Sequence, residues 1–192
     1  MTQRPDAPAP RLRIVQAVLR LAMGDATAIA AFGGTTAAFV QSLIPLLALP
    51  LVVGLATILS GQVVRGVTDL LAALCALLVP AWVSHVFARA QGREAAWLRF
   101  VVAFNWCQFG LSLVGLVMLL LLGAMGPPSH AAGLVLVIGC LAVMAYGLWL
   151  PWFVARHGLG VSGPKAALLV AVIYLCTLSV LVTRNLLSME NG

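Results

Sequence analysis

Four side chains that could bind a polar molecule occur in stretches that are otherwise apolar. They are Gln41, His85, Asn105 and Gln108. Asn105 and Gln108 are spaced by three positions and therefore share one face of a helix. Hydrogen bonds between helices, worth about 0.6 kcal/mol each, are the ordinary interpretation of such amides in a membrane protein. If the faces converge instead, the four residues line a polar vestibule for a small neutral or lipidic solute.

Residue sets that carry catalysis do not occur in the sequence. It has no HExxH metalloprotease pattern, no Gly-x-Ser-x-Gly nucleophile and no phosphate-binding P-loop. No acidic or basic residue falls deep in an apolar segment, which argues against a proton-coupled or sodium-coupled pump. Cysteines occur once on each of four apolar segments, at unequal depths: Cys75, Cys107, Cys140 and Cys176. We therefore expect no metal site, no disulfide, no cofactor and no enzyme activity.

Long apolar segments must position these side chains. Of the 192 residues, 62% are apolar and 8% are charged, whereas a soluble domain carries roughly 25% charged residues. This composition excludes a soluble globule and a free nucleic-acid-binding protein. A helix needs about 20 apolar residues to cross a bilayer. Five segments qualify as spans, at 38–60, 68–88, 100–122, 132–154 and 166–183.

The segment before the first span has an amphipathic pattern. Over about 11–32, Arg13 and Arg20 share one helical face while Val15 and Leu19 lie largely opposite, as in a helix that lies in the membrane interface. The sequence therefore predicts an all-α, polytopic membrane bundle of five transmembrane helices preceded by an amphipathic interfacial helix. The predicted units are a cytoplasmic N-terminal segment at 1–35, the membrane domain at 36–185 and a short outer tail at 186–192.

The basic residues predict the orientation. All but two of the 11 Lys and Arg residues fall in segments on one side of the membrane, the exceptions being Arg65 and Arg184. Because positive charge accumulates in cytoplasmic loops, the N-terminus is predicted to be cytoplasmic and the C-terminus outside. The preference for Arg over Lys, with abundant Ala, Gly, Leu and Val, favours a bacterial inner-membrane protein. Six arginines are expected to contact anionic headgroups: Arg13, Arg20, Arg89, Arg93, Arg99 and Arg156.

Small residues recur at every fourth position along the second span. The stripe consists of Thr68, Ala72, Ala76, Pro80 and Ser84. Such a stripe lets another helix approach closely. Packing within the chain is the favoured interpretation, and contact with a second protein is the alternative.

The layout is similar to that of the Yip-domain superfamily, in particular its bacterial members. Residues 92–108 (GREAAWLRFVVAFNWCQ) resemble the segment by which these proteins enter their third helix. The resemblance implies a five-helix membrane fold and a role in membrane organisation. Binding of small GTPases, known for eukaryotic members, is not carried over. The Asp-Leu-x-Gly-Pro type motif between the first two helices is absent, and residues 61–66 (GQVVRG) stand there instead.

Together these patterns predict an interaction, scaffold or membrane-organising protein. Its expected partners are anionic membrane lipids, and in addition a membrane protein or a second copy of the chain, but not nucleic acid. Passage of a small neutral or lipidic solute through the vestibule is the alternative function.

Overall fold

Helices make up nearly all of the protein. The computed structural model describes residues 10–124 and 130–190, and no strand occurs among them. The helices are α1 (Pro10–Ala22), α2 (Thr36–Leu59), α3 (Val63–Ala90), α4 (Glu94–Ala124), α5 (His130–Gly158) and α6 (Gly163–Glu190). A short 3-10 helix, Ala26–Ala31, lies between α1 and α2. The polar start at 1–9, the connection at 125–129 and the end of the predicted outer tail at 191–192 lie outside the described residues.

The five helices from α2 to α6 are long enough and apolar enough to cross a membrane. The apolar windows that qualify them have mean hydropathies between 1.9 and 2.5. Each of these helices covers one predicted span, so the predicted fold class is confirmed. The chain is therefore a multi-pass membrane protein.

Four of the five long helices form a ring, and the fifth, α2, packs at its edge. α3, α4, α5 and α6 contact one another in that cyclic order, and α2 packs against both α3 and α4. The α2–α3 contact is close because two glycines face each other. A Cβ atom added at Gly66 would lie 2.8 Å from the carbonyl oxygen of Gly54, so only glycine fits at this crossing.

Two similar turns connect the helices at one end of the ring. Gly92 and Gly160 end α3 and α5 with φ values of +65° and +63°. The following N–H groups, of Arg93 and Val161, donate to the carbonyls of Ala88 at 2.8 Å and Arg156 at 3.1 Å, which is the Schellman arrangement. We call this the basic end, because it carries the cations Arg89, Arg93, Arg99, Arg156 and Lys165.

The N-terminal helix is shorter than predicted and is attached to the bundle. The helix predicted over 11–32 ends at Ala22, because Gly24 turns the chain with a φ of +86°. Both α1 and the following 3-10 helix contact α4 and α5. Leu21 is fully buried there, and the Tyr146 hydroxyl of α5 donates a hydrogen bond of 2.6 Å to the carbonyl of Ala22. α1 is therefore part of the folded unit.

The core lies in the half of the bundle nearer the basic end. On α4, every side chain from Phe100 to Asn105 is buried, whereas most of the side chains from 112 to 121 are exposed. Buried partners on α5 and α6 include Leu150, Val154, Ala166, Leu169 and Ile173. The other half therefore presents mainly apolar side chains on its surface, as expected of helices surrounded by hydrocarbon.

Candidate functional site

Asn105 links α4 to α2 through a buried hydrogen bond. It is 3% exposed, and its Nδ2 atom donates a hydrogen bond of 2.9 Å to the Ser42 hydroxyl of α2. That hydroxyl in turn donates to the carbonyl of Phe39 at 2.7 Å. The amide N–H is thus used inside the bundle and is not free for a solute.

The other three residues predicted to line a vestibule have separate surroundings. Gln108 is half-buried, and its side chain lies close to the Tyr174 hydroxyl of α6, which donates a hydrogen bond of 2.9 Å to the carbonyl of Gly147. Gln41 is exposed on α2. His85 is exposed on α3, where its ring packs edge-on against Trp97 with 4.6 Å between centroids. Neither of the two cavities described below is lined by any of the four side chains.

The small-residue stripe of α3 faces the interior of the same chain. Ala72 and Ser84 are buried; the remaining members, Thr68, Ala76 and Pro80, are half-buried. The Ser84 hydroxyl accepts a hydrogen bond of 3.0 Å from Nε1 of Trp97 on α4. Ala72 and Ser84 are therefore covered by the chain itself, while the three half-buried members keep part of their surface exposed.

An ion pair at the end opposite the basic end links α3 to α6. Nε of Arg184 lies 2.7 Å from Oδ1 of Asp69, and their side chains are 34% and 17% exposed. Sequence reasoning placed Arg184 on the outer side of the membrane and did not pair it with Asp69. The available signal was their opposite charge at the same predicted depth on two different helices.

All six arginines predicted to contact lipid are exposed. They are Arg13, Arg20, Arg89, Arg93, Arg99 and Arg156. Three of them contact a charged or aromatic side chain: Arg20, whose contacts are given below, Arg89 and Arg156. Arg89 lies 3.6 Å from Glu94, and the Arg156 guanidinium sits over the Trp152 ring at 5.4 Å.

Arg20 has a structural role in the bend after α1. Its Nε and Nη2 atoms lie 2.9 and 2.6 Å from Oδ2 of Asp25. The other carboxylate oxygen accepts from the Thr27 hydroxyl at 2.6 Å and the Thr27 N–H at 2.9 Å. These bonds, from Thr27 first and then Arg20, lower the pKa of Asp25 below its usual 3.8. The carboxylate therefore caps the 3-10 helix and fixes the path of the chain between α1 and α2.

An apolar groove runs between α5 and α6. Its volume is about 600 Å³, and its lining includes the aromatic rings of Trp149, Trp152 and Tyr174. Trp152 also donates from Nε1 to the carbonyl of Gly163 at 3.0 Å. A groove of this composition suits an acyl chain of the surrounding bilayer.

A small polar pocket lies where the two turns of the basic end meet. Its volume is about 230 Å³. The α3–α4 turn supplies Gln91 and Arg93, and the α5–α6 turn supplies residues 160–162 and Lys165. Nζ of Lys165 donates to Oε1 of Gln91 at 2.6 Å. Sequence reasoning missed this pocket because its two halves are about 70 positions apart in the chain and share no motif.

The four cysteines have free thiols and lie on α3, α4, α5 and α6. Within the described ranges, no three metal-ligating side chains gather at one point.

Comparison with known proteins adds no relative. No protein-family model matches the chain, and neither a curated protein nor a solved structure matches it.

Proposed function

We propose that the protein is an inner-membrane protein with an interaction or membrane-organising role, exerted where its basic end meets the cytoplasmic leaflet. The observation that carries the proposal is the way α1 is attached. One face of α1 is buried against the bundle through Ala17 and Leu21. The opposite face, within the described side chains, is exposed and carries both apolar and basic residues.

The exposed part of α1 suits the boundary between acyl chains and headgroups. Val15, Leu19 and Met23 are 54%, 57% and 78% exposed, and Arg13 and Arg20 are exposed as well. A helix with such faces lies in the plane of the interface, with its apolar side chains among the acyl chains and its cations among the headgroups. Because α1 is packed on α4 and α5, this insertion is rigidly coupled to the bundle.

The length of α4 lets its charged end extend out of the hydrocarbon. At 31 residues and 1.5 Å per residue, α4 is about 46 Å long, whereas the hydrocarbon core is about 30 Å thick. One end of α4 therefore extends beyond the hydrocarbon. The charged end, which carries Arg93, Glu94 and Arg99, is the end that water and headgroups would surround.

The charge of the basic end supports anionic lipids as the partner. Within the described residues, five cations and one carboxylate, that of Glu94, lie at this end. Each Lys or Arg near an anionic leaflet contributes about 1 kcal/mol of attraction. The positive-inside rule assigns such an end to the cytoplasm. The layout resemblance to the Yip-domain superfamily agrees with a membrane-organising role.

Solute passage is the weaker candidate. The two deepest amides, Asn105 and Gln108, contact Ser42 and Tyr174 on neighbouring helices. A solute path would need these groups to face a continuous cavity.

Lipid retention tests the proposed function. The full chain in mild detergent is titrated with phosphatidylglycerol or phosphatidylcholine of equal chain length, and bound lipid is counted by native mass spectrometry. We expect a preference for phosphatidylglycerol of about fivefold or more, the equivalent of about 1 kcal/mol. Equal binding of the two lipids would overturn the proposal.

A matched pair of variants assigns the effect to α1. Val15→Ser/Leu19→Ser removes exposed apolar groups from α1, while Leu141→Ser/Met144→Ser removes similarly exposed groups from α5. We expect fewer retained lipids for the α1 variant than for the α5 variant. The same spectra report any stoichiometric protein partner or homo-oligomer.

A further inference from the structure

The polar pocket of the basic end has the chemistry of an anion site. Arg93 and Lys165 reach it from two different turns, and Ser162 adds a hydroxyl. No carboxylate lines it. Glu94, the neighbour of Arg93 in sequence, is directed to Arg89 instead, at 3.6 Å.

The donors of this pocket are largely unused. Lys165 gives one of its three N–H groups to Gln91. Among the described residues, the Arg93 guanidinium forms no hydrogen bond or ion pair, and the Ser162 hydroxyl has no hydrogen-bond partner. Five guanidinium N–H groups and two ammonium N–H groups are therefore free for a ligand.

The two turns bring these donors close together. Gly160 adopts φ +63°, and a Cβ atom added there would lie 4.0 Å from Nη1 of Arg93. The Arg93 guanidinium thus lies beside the glycine that ends α5. The bond between Lys165 and Gln91 links α6 to the α3–α4 turn and orients the second cation.

We propose that this pocket binds a phosphate group. A planar guanidinium, an ammonium and a hydroxyl are the donors that proteins use for phosphate oxygens, because charge-assisted hydrogen bonds are stronger than neutral ones. The phosphate belongs either to a phospholipid headgroup at the membrane surface or to a soluble phosphorylated molecule. This inference rests on the proposed function only in placing the basic end at a headgroup layer, and it goes further in naming a single site.

The experiment compares two double variants that lose the same charge. Arg93→Gln/Lys165→Gln removes both cations of the pocket. Arg89→Gln/Arg156→Gln removes two cations of the same end that do not line it. Binding of phosphatidylglycerol, and separately of glycerol 3-phosphate and inorganic phosphate, is measured on the full chain in detergent by native mass spectrometry.

For the ligand that binds, we expect the pocket variant to lose about tenfold in affinity, and the control variant about twofold or less. Binding of phosphatidylglycerol alone identifies a lipid headgroup, whereas binding of glycerol 3-phosphate or inorganic phosphate identifies a soluble ligand. Both results support the pocket. Equal losses in the two double variants would overturn the pocket and leave the proposed function intact. If the unchanged protein binds neither phosphatidylglycerol nor glycerol 3-phosphate nor inorganic phosphate, both the pocket and the proposed function are overturned.

A charge-preserving exchange separates binding from folding. Arg93→Lys/Lys165→Arg keeps both charges and the donor to Gln91. Because an ammonium binds phosphate as a point charge without the fork of a guanidinium, we expect it to lose part of the affinity but to bind about threefold or more tightly than Arg93→Gln/Lys165→Gln. If it binds as poorly as Arg93→Gln/Lys165→Gln while all variants show the same thermal unfolding, the cations are not the ligands of a phosphate and the proposal fails.

Discussion

The side-chain amide of Asn105 donates a hydrogen bond of 2.9 Å to the hydroxyl of Ser42, 63 positions earlier in the chain. This bond joins α4 to α2 in the buried half of the bundle. It gives Asn105, the most buried side-chain amide among the described residues, a structural role.

Replacing Asn105 by leucine should destabilise the bundle. We expect Asn105→Leu to lower the free energy of unfolding by about 0.6–1.7 kcal/mol, the range measured for hydrogen bonds between membrane helices. Unfolding in mixed micelles with increasing dodecyl sulfate, followed by circular dichroism, measures the change. Gln41→Leu is the control, because Gln41 is exposed and its replacement should change the same quantity by about 0.5 kcal/mol or less. Unchanged stability of Asn105→Leu with loss of a solute flux would favour the vestibule.

The crossing of α2 and α3 should not accept a methyl group. Gly66→Ala places a Cβ atom 2.5 Å from Cγ1 of Ile58 and 2.8 Å from the Gly54 carbonyl oxygen. We expect a loss of about 1–3 kcal/mol in the free energy of unfolding. Gly115→Ala meets nothing within 4 Å on α4, so it should be neutral or stabilising by up to about 1 kcal/mol. Equal effects of the two substitutions would contradict the close approach.

The Asp69–Arg184 pair should be worth more than an exposed pair. Arg184→Ala leaves a carboxylate that is 17% exposed without its counter-ion. A double-mutant cycle with Asp69→Ala should give a coupling of about 1–3 kcal/mol, between the values for exposed and buried pairs. The same cycle on Arg89 and Glu94, which are 77% and 58% exposed, should give about 0.5 kcal/mol or less. A reversed order would show that α3 and α6 are not held by this pair.

The bend after α1 should respond only to strong acid. Because the folded pKa of Asp25 lies below its usual 3.8, the ionised carboxylate favours the folded bend at all pH values above that number. This contribution is lost as the pH falls below 3.8 and through the folded pKa. The amide proton of Thr27, which bonds Asp25, should therefore keep its chemical shift from neutral pH to about pH 4 and change below. Asp25→Asn should abolish that titration, and a titration near neutral pH would be evidence against the Asp25–Thr27 bond.

The sequence predicts the helices far better than the contacts between them. Apolar length is a property of one segment, so the five long helices could be recognised without knowing their neighbours. The rotation of each helix about its own axis depends on all the others. Asn105 next to Gln108 predicts a polar face, but whether that face meets Ser42, Tyr174 or a cavity depends on packing.

The candidate functional surfaces also differ in whether they depend on one segment or on contacts between segments. Exposed arginines at helix ends could be predicted one by one, because charge itself excludes them from hydrocarbon. The pocket of Arg93 and Lys165 could not, since it requires the α3–α4 and α5–α6 turns to meet. The early end of α1 escaped prediction because the amphipathic pattern continues past Gly24, where a positive φ interrupts the helix.

The preference of the full chain for anionic lipid tests the account most directly. Native mass spectrometry with equal amounts of phosphatidylglycerol and phosphatidylcholine should show the anionic lipid bound about fivefold more tightly. The preference should fall when Arg93 and Lys165 are both replaced by glutamine. An unchanged protein that binds the two lipids equally would contradict a membrane-organising role for the basic end.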